Sequence, residues 1–236
     1  MRAIILAQGL GSRLQPAIGN LPKQLVDVGG WSVIERTTWM LSEVCETIII
    51  GPPSLAEANL HGARLTTLWK PGLCILQGLA QTAWAWVDDR TVILLGDVLY
   101  SLACLERLLR AEEPIVFAGT RALSGSEGEL FGMTFNGYAR DRVLFGIMNR
   151  PCTDHGVVAQ PGHLRLLWTY LSALGPSTVA YQVVDDYTDD LDEPSDLDEL
   201  RAWRAGAAYL DMLEGLGVLP VEVAMARAAW VATQPR

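Results

Sequence analysis

The stretch Ala3-Ile4-Ile5-Leu6-Ala7-Gln8-Gly9-Leu10-Gly11-Ser12-Arg13-Leu14 begins with five apolar residues, breaks at two glycines and turns polar at Ser12-Arg13. The apolar run is too short for a membrane span or the core of a signal peptide, and it predicts a strand buried on both faces. Runs rich in Ile, Val and Leu recur at 47–51, 73–76, 91–96, 115–119, 131–135, 142–148 and 179–184. Between most of them lie segments of helical spacing. Residues 31–44 place Trp31, Ile34, Thr38, Leu41 and Val44 near one face, and 101–111 opens on Ser101 as an N-cap and continues through Leu105, Leu108 and Leu109. Further helices are predicted at 161–174, 195–214 and 220–232. Apolar strands alternating with helices imply an α/β fold, a mainly parallel mixed sheet covered on both sides. Asn136-Gly137 between two β-rich runs predicts a hairpin over 131–148, a small antiparallel insertion.

Composition narrows the class. Of 236 residues, 50% are hydrophobic and 19% charged, which excludes disorder as the main state and allows a sizeable core. The 22 glycines and 12 prolines follow no period, and no linker long enough to separate a pair of domains appears, so a single domain over 1–236 is expected. Cys45, Cys74, Cys104 and Cys152 form no CxxC pair and read as buried thiols. Three histidines leave little material for a zinc site or a His-based triad. A cytoplasmic protein with no membrane contact is expected. The net charge of −9 is local: residues 185–199 hold nine acids and no base, and the rest of the chain has 18 acids against 18 bases. A neutral body carries no broad basic footprint for nucleic acid, and the acidic segment repels phosphate unless a metal ion intervenes.

Ligands of parallel sheets gather where strands end, which directs attention to the loops after residues 7, 96 and 184. In the first, Gly9 and Gly11 let the backbone approach phosphate oxygens, and Arg13 with Lys23 adds charge. The loop lacks the third glycine of a dinucleotide fingerprint and the Gly-Lys-Ser/Thr of a P-loop; on the glycines alone, an ordinary strand-to-helix turn fits equally well. In the second, Asp97 ends the most hydrophobic strand, where a bare carboxylate is costly unless a cation meets it. In the third, Asp190 and Asp192 fall on the same side of an extended stretch. The other seven acids of 185–199 read as helix-terminal or solvated charge.

Read together, Leu6-Ala7-Gln8-Gly9-Leu10-Gly11-Ser12-Arg13-Leu14-Gln15-Pro16, Leu21-Pro22-Lys23-Gln24-Leu25 and Gly29-Gly30 resemble the N-terminal signature of the sugar-phosphate nucleotidylyltransferases. Gly96-Asp97 resembles that family's G-D motif, Asp190-Leu191-Asp192-Glu193-Pro194-Ser195-Asp196-Leu197 its second acidic segment, Gln77 through Thr82-Ala83 its G-T-A stretch, and Glu129-Leu130-Phe131-Gly132 its E-x-[FY]-G strand. Asn149-Arg150-Pro151 stands where many members have Glu-Lys-Pro, Gln8 where they have Ala or Gly, Gln81 where they have Gly, and Glu193 where they have Thr.

The resemblance implies a three-layer α/β/α Rossmann-like domain, with a nucleotide-binding portion at 1–128, an acceptor-binding portion at 129–200 and C-terminal helices at 201–236. It implies that Ala7, Gln8, Gly9, Gly11, Ser12, Arg13, Lys23, Gln77, Gln81, Thr82 and Gly96 contact an NTP, and that Gly132, Asn149 and Arg150 contact the acceptor. Asp97, Asp190 and Asp192 would hold Mg2+, with Lys23, Arg13 and Asp97 as the catalytic set. The implied partners are an NTP and a phosphorylated sugar or alcohol, with self-association left open. Two rivals stand beside this reading: a GT-A-type glycosyltransferase, which consumes a sugar nucleotide, and a non-catalytic nucleotide-binding regulatory domain.

Overall fold

Ala3, Ile4 and Ile5 are fully buried, and the strand they belong to, Arg2–Leu6 (β1), lies inside the sheet with parallel neighbours on both sides. This is what an apolar run without alternation predicts. The computed structural model describes residues 1–9, 11, 13–28, 30–67, 75–120, 129–148, 164–186 and 188–198. After the glycine loop come a short helix, Gln15–Ile18 (α1), a 3-10 turn, Lys23–Leu25, and the helix Val33–Leu41 (α2). A capping box opens α2: Ser32 Oγ accepts from the Glu35 N–H (3.3 Å) and Glu35 Oε2 from the Ser32 N–H (2.7 Å). Strands Glu46–Ile50 (β2) and Arg64–Thr66 (β3), helix Ile75–Gln81 (α3) and strands Arg90–Leu95 (β4) and Val98–Leu99 (β5) follow. Next are helix Leu102–Leu109 (α4), strands Ile115–Gly119 (β6) and Leu130–Asn136 (β7), and helices Arg140–Met148 (α5) and Leu164–Leu174 (α6). Strands Val179–Val183 (β8) and Asp189–Asp190 (β9) come last, and a further helix begins over 194–198.

The main sheet has seven strands in the order β3-β2-β1-β4-β7-β6-β8, parallel except for β7, which runs against both β4 and β6. Because side chains alternate along each strand, Ile5 points into a core shared with Leu41 of α2 and Leu105 and Leu108 of α4. Ile4 points to the opposite core, shared with Leu76 and Leu79 of α3, Val143 of α5 and Leu167 and Leu171 of α6. These two cores on one sheet make the three expected layers, the α/β/α architecture. Ser101 caps α4 as predicted, accepting from the Cys104 N–H at 2.9 Å.

Two predicted strands are helical. The run 142–148 lies in α5, so the 131–148 hairpin does not form. Val143, Gly146 and Ile147 are buried at helical spacing, and Gly146 admits α6: a Cβ there would sit 2.8 Å from Leu167 Cδ1. Asn136 instead caps the turn that leads into α5, accepting from the Ala139 N–H at 3.2 Å. The antiparallel element is β7 itself, within the sheet, together with the small β5-β9 pair. Residues 75–76 of the predicted strand 73–76 open α3, and 73–74 lie outside the described residues. The three-residue β3 is not predicted by the sequence; Arg64 and Thr66 flank its one apolar residue, Leu65. The predicted helices beyond 198 lie outside the described residues, and among the described residues no helix is long and apolar enough to cross a membrane.

Candidate active site

The ends of β1 and β4 meet because Gly96 has no side chain: a Cβ there would lie 2.6 Å from that of Ala7. Ala7 is fully buried and its N–H donates to Ile50 O at 2.7 Å, so this junction is closely packed and tied to β2. Asp97 follows directly. It is joined by residues far along the chain, because β5 pairs with β9, Val98 opposite Asp190, and the Leu191 N–H donates to Asp97 O at 3.0 Å. Asp196 Oδ2 accepts from the N–H groups of Asp192 (2.7 Å) and Glu193 (2.6 Å), which turns Asp192 back toward the cluster. Tyr100, fully buried, ties the two sheet regions together: its Oη accepts from the Leu95 N–H at 2.8 Å and donates to Phe131 O.

Lys23 lies among these carboxylates. It is 5% exposed, and its stem runs along the glycine loop, where a Cβ on either Gly9 or Gly11 would stand 3.3 Å from it. Gly11 also has φ +58°, a backbone region that glycine adopts without strain. The Lys23 Nζ donates to Asp97 Oδ2 and, at 2.7 Å, to Asp192 Oδ1. Arg13 pairs with the other oxygen of Asp192 and lies 3.5 Å from Glu193. Burial alone would lower the pKa of Lys23, but Asp97 and Asp192 outweigh it and hold the ammonium above the ordinary lysine value. For Asp192 burial acts upward and is overcome by Lys23 and Arg13, so this carboxyl lies below the usual range. Asp190 goes the other way: burial first, then the neighbouring Glu129, push it up to about 8.

These residues face a cleft of about 500 Å³. Of the expected site residues, Gly9, Arg13, Lys23, Asp97, Asp190 and Asp192 line it. Gly11 acts on Lys23, and Ala7 and Gly96 form the strand-end junction; Gln8, half-buried, follows Ala7. Gln77 and Gln81 lie on α3, partly buried and outside the described lining. Thr82 is fully buried, donating to Leu79 O at 2.6 Å and accepting from Trp86 Nε1 at 3.0 Å. Gly132 packs closely on β4, where a Cβ would lie 2.7 Å from Ile93 O. Ser12, Asn149 and Arg150 lie outside the described residues.

The cleft also brings in residues that the sequence reading left out of the site. Glu129 lines it and, with Asp189 and Asp190, offers carboxylate oxygens within 4.8 Å of one another. An all-oxygen donor set of this kind suits magnesium. The signal for Glu129 is present in the sequence, since it opens the E-x-F-G string; Asp189 looks there like one of several solvated acids. Arg165, with Leu164 and Leu166 at the start of α6, lines the cleft too, and no motif marks it.

The family model of the MobA-like NTP transferase domain matches residues 3–143. Among curated proteins, the CMP-5'-(3-aminopropyl)phosphonate synthase of Streptomyces rubellomurinus is 28% identical over 165 residues, 64% of this chain and 26% of the relative. The bifunctional IPC transferase and DIPP synthase of Archaeoglobus fulgidus is 33% identical over 123 residues, 48% of this chain and 23% of the relative. The chain thus spans about a quarter of the length of these relatives. Among solved structures, the inositol-1-phosphate CTP transferase from T. maritima superposes with a TM-score of 0.60 at 14% identity, over 85% of this chain and 94% of that one. A nucleotidyl transferase from Methanothermobacter thermautotroptrophicus gives 0.62 at 17% identity, over 85% and 95%. At such identities the two structures speak for the fold. The family match itself takes in β1, the glycine loop, Lys23 and Asp97 and covers more than half of the chain, which therefore belongs to the MobA-like NTP transferase domain family.

Proposed function

We propose that the chain is a nucleotidyltransferase that joins an NTP to the phosphorus oxyanion of a phosphorylated sugar or alcohol, or of a phosphonate, and releases pyrophosphate. The observation that carries this reading is Lys23, buried and held by Asp97 and Asp192 at the shared end of β1 and β4. The family match supports it, and the phosphonate named for the Streptomyces relative widens the acceptor class beyond sugars.

In the proposed reaction an acceptor oxygen, already an anion, attacks the α-phosphorus in line. A new P–O bond forms, the bond from the α-phosphorus to the α,β-bridging oxygen breaks, and its electron pair leaves with pyrophosphate. No protein nucleophile is consumed, so catalysis rests on positioning and on charge placed where charge accumulates. The backbone of the glycine loop receives the triphosphate, Arg13 meets its distal phosphates and the Lys23 ammonium lies at the reacting one. The glycine-cradled stem keeps that ammonium in place without a reorganisation at the moment of reaction. Asp97 and Asp190, with Asp192 and Glu129 beside them, would hold magnesium, whose chemistry when bound is to neutralise triphosphate charge. An acidic chain can then take two phosphorylated ligands, and the demand for NTP leads us to assign it to the cytoplasm.

The test is pyrophosphate release from each of the four NTPs against a panel of phosphorylated sugars, phosphorylated alcohols and alkylphosphonates. One productive pair is expected. Consumption of a sugar nucleotide with no pyrophosphate would assign the chain to the glycosyltransferases instead, and tight nucleotide binding with no turnover on any acceptor would make it a binding domain.

A further inference from the structure

In-line displacement sets a geometric demand: the attacking oxyanion and the departing pyrophosphate lie on opposite sides of the α-phosphorus, so the acceptor is held from a different side of the cleft than the triphosphate. Arg13 follows β1 in the chain, and Lys23 lies against the same glycine loop. Asp97 ends the next strand, β4. On the far side of β4 is β7, and because it is antiparallel, with Leu94 opposite Gly132, it begins at the edge where β4 ends. Leu130 and Phe131 therefore stand at that same edge, about two strand spacings, ~10 Å, across from the end of β1. The hydrogen bond from Tyr100 Oη to Phe131 O secures this placement. The start of α6 packs here as well, since Leu164 shares a core with Leu130 and Met133. Leu164, Arg165 and Leu166 then line the cleft beside Leu130 and Phe131.

From this arrangement we propose that Arg165 anchors the acceptor's phosphorus oxyanion, and that the apolar wall around it selects acceptors whose phosphorus is borne on a short aliphatic chain. The inference rests on the nucleotidyl-transfer reading and names its acceptor side. A guanidinium suits this task because its planar fork can donate two parallel hydrogen bonds to one phosphorus group. Arg165 brings positive charge to the cleft from a separate element, α6, beyond the family match that ends at residue 143. The surfaces that Leu130, Leu166 and Ile75 offer the cleft favour methylene groups over hydroxyls, by roughly fourfold in affinity for each CH2 buried. Phosphate monoesters and phosphonates share this chemistry.

The test uses the full chain saturated with magnesium and with whichever α,β-methylene NTP analogue it binds. Methylphosphonate, propylphosphonate, propyl phosphate and glucose 1-phosphate are then titrated by calorimetry. Propylphosphonate is expected to bind about tenfold or more tightly than methylphosphonate, and more tightly than glucose 1-phosphate; the propyl phosphate titration shows which phosphorus linkage is preferred. Arg165→Gln is expected to weaken all four at least tenfold while leaving the NTP analogue within twofold. Arg165→Lys, which keeps the charge without the fork, recovers some of the loss, and Leu166→Asn flattens the dependence on chain length. Unchanged propylphosphonate binding in Arg165→Gln, or a wild type that prefers glucose 1-phosphate, overturns the proposal while nucleotide binding stands. Failure of all four NTP analogues to bind overturns the nucleotidyl-transfer reading itself.

Discussion

Replacing Lys23 with methionine removes one ammonium and almost no volume, so nearly the whole effect is electrostatic. In the native chain the Lys23 side chain is 6% exposed, against 20% for Asp97 and 27% for Asp192. Taking one partner from a buried pair costs about 3–5 kcal/mol. Here both carboxylates keep some water and Asp192 keeps Arg13, so the effect falls at or just below the bottom of that range, ~2–3 kcal/mol. For a chain of this size each kcal/mol moves the melting temperature by about 2–4 °C, which gives a fall of roughly 4–12 °C in EDTA. The vacancy between Asp97 and Asp192 then suits a divalent cation, and at ten times its dissociation constant such an ion returns ~1.4 kcal/mol. Lys23→Met should therefore be rescued by magnesium to a greater extent than the wild type is stabilised by it. Its kcat should drop on the order of 10² to 10³, as for the loss of one transition-state contact. Since the Lys23 pKa is raised, its stabilisation is complete below the ordinary lysine value and lost as pH climbs past it. Since that of Asp192 is lowered, its share is complete above the ordinary carboxylate value and lost as pH falls below it. The difference between wild type and variant should thus stay flat from about pH 5 to 10 and shrink on either side. Calorimetric melts across pH, in EDTA and in magnesium, read all of this. A variant that melts with the wild type in EDTA at pH 7 would refute the claim that Lys23 and the carboxylates stabilise one another.

Three further outcomes are expected. Asp97→Asn should still melt cooperatively, somewhat below the wild type because Lys23 loses one of its two carboxylates, and lose pyrophosphate release; near-normal turnover at saturating magnesium would remove Asp97 from metal binding. Asp190 has its pKa pushed up to about 8 by burial and then by Glu129, so its contribution to stability is greatest below the ordinary carboxylate range and is lost as pH rises toward that value. Asp190→Asn should match the wild type at pH 4 and melt higher at pH 8 in EDTA, and equal melts at both would show that the carboxyl ionises without penalty. Ser32→Ala removes the acceptor that caps α2 and should cost ~1 kcal/mol, seen as a lowering of about 2–4 °C with no change in the KM of either substrate.

The sites that sequence reading finds are those whose chemistry is local. The glycine loop, Lys23 after a proline and Asp97 at a strand end are legible because each depends on a few neighbouring residues and on where an apolar run stops. The capping of α4 by Ser101 is legible for the same reason. The run 142–148 reads as a strand in sequence because Val143 and Ile147 suit either a strand or one face of a helix, and the contact of Gly146 with α6 decides between them. That Thr82, in the G-T-A-like stretch, is fully buried and bonded to Trp86 Nε1 is set by packing that the motif does not record. The pairing of Lys23 with Asp192 depends on β5 meeting β9, two strands of two residues each, too short to leave a periodic signal. Arg165 is an ordinary helical arginine in the sequence, and it faces the cleft because β7 runs antiparallel beside β4 and α6 packs against its start. Local pattern records which residues a strand or helix can hold; which strand ends share an edge is set by long-range pairing, whose partners no short stretch of chain contains.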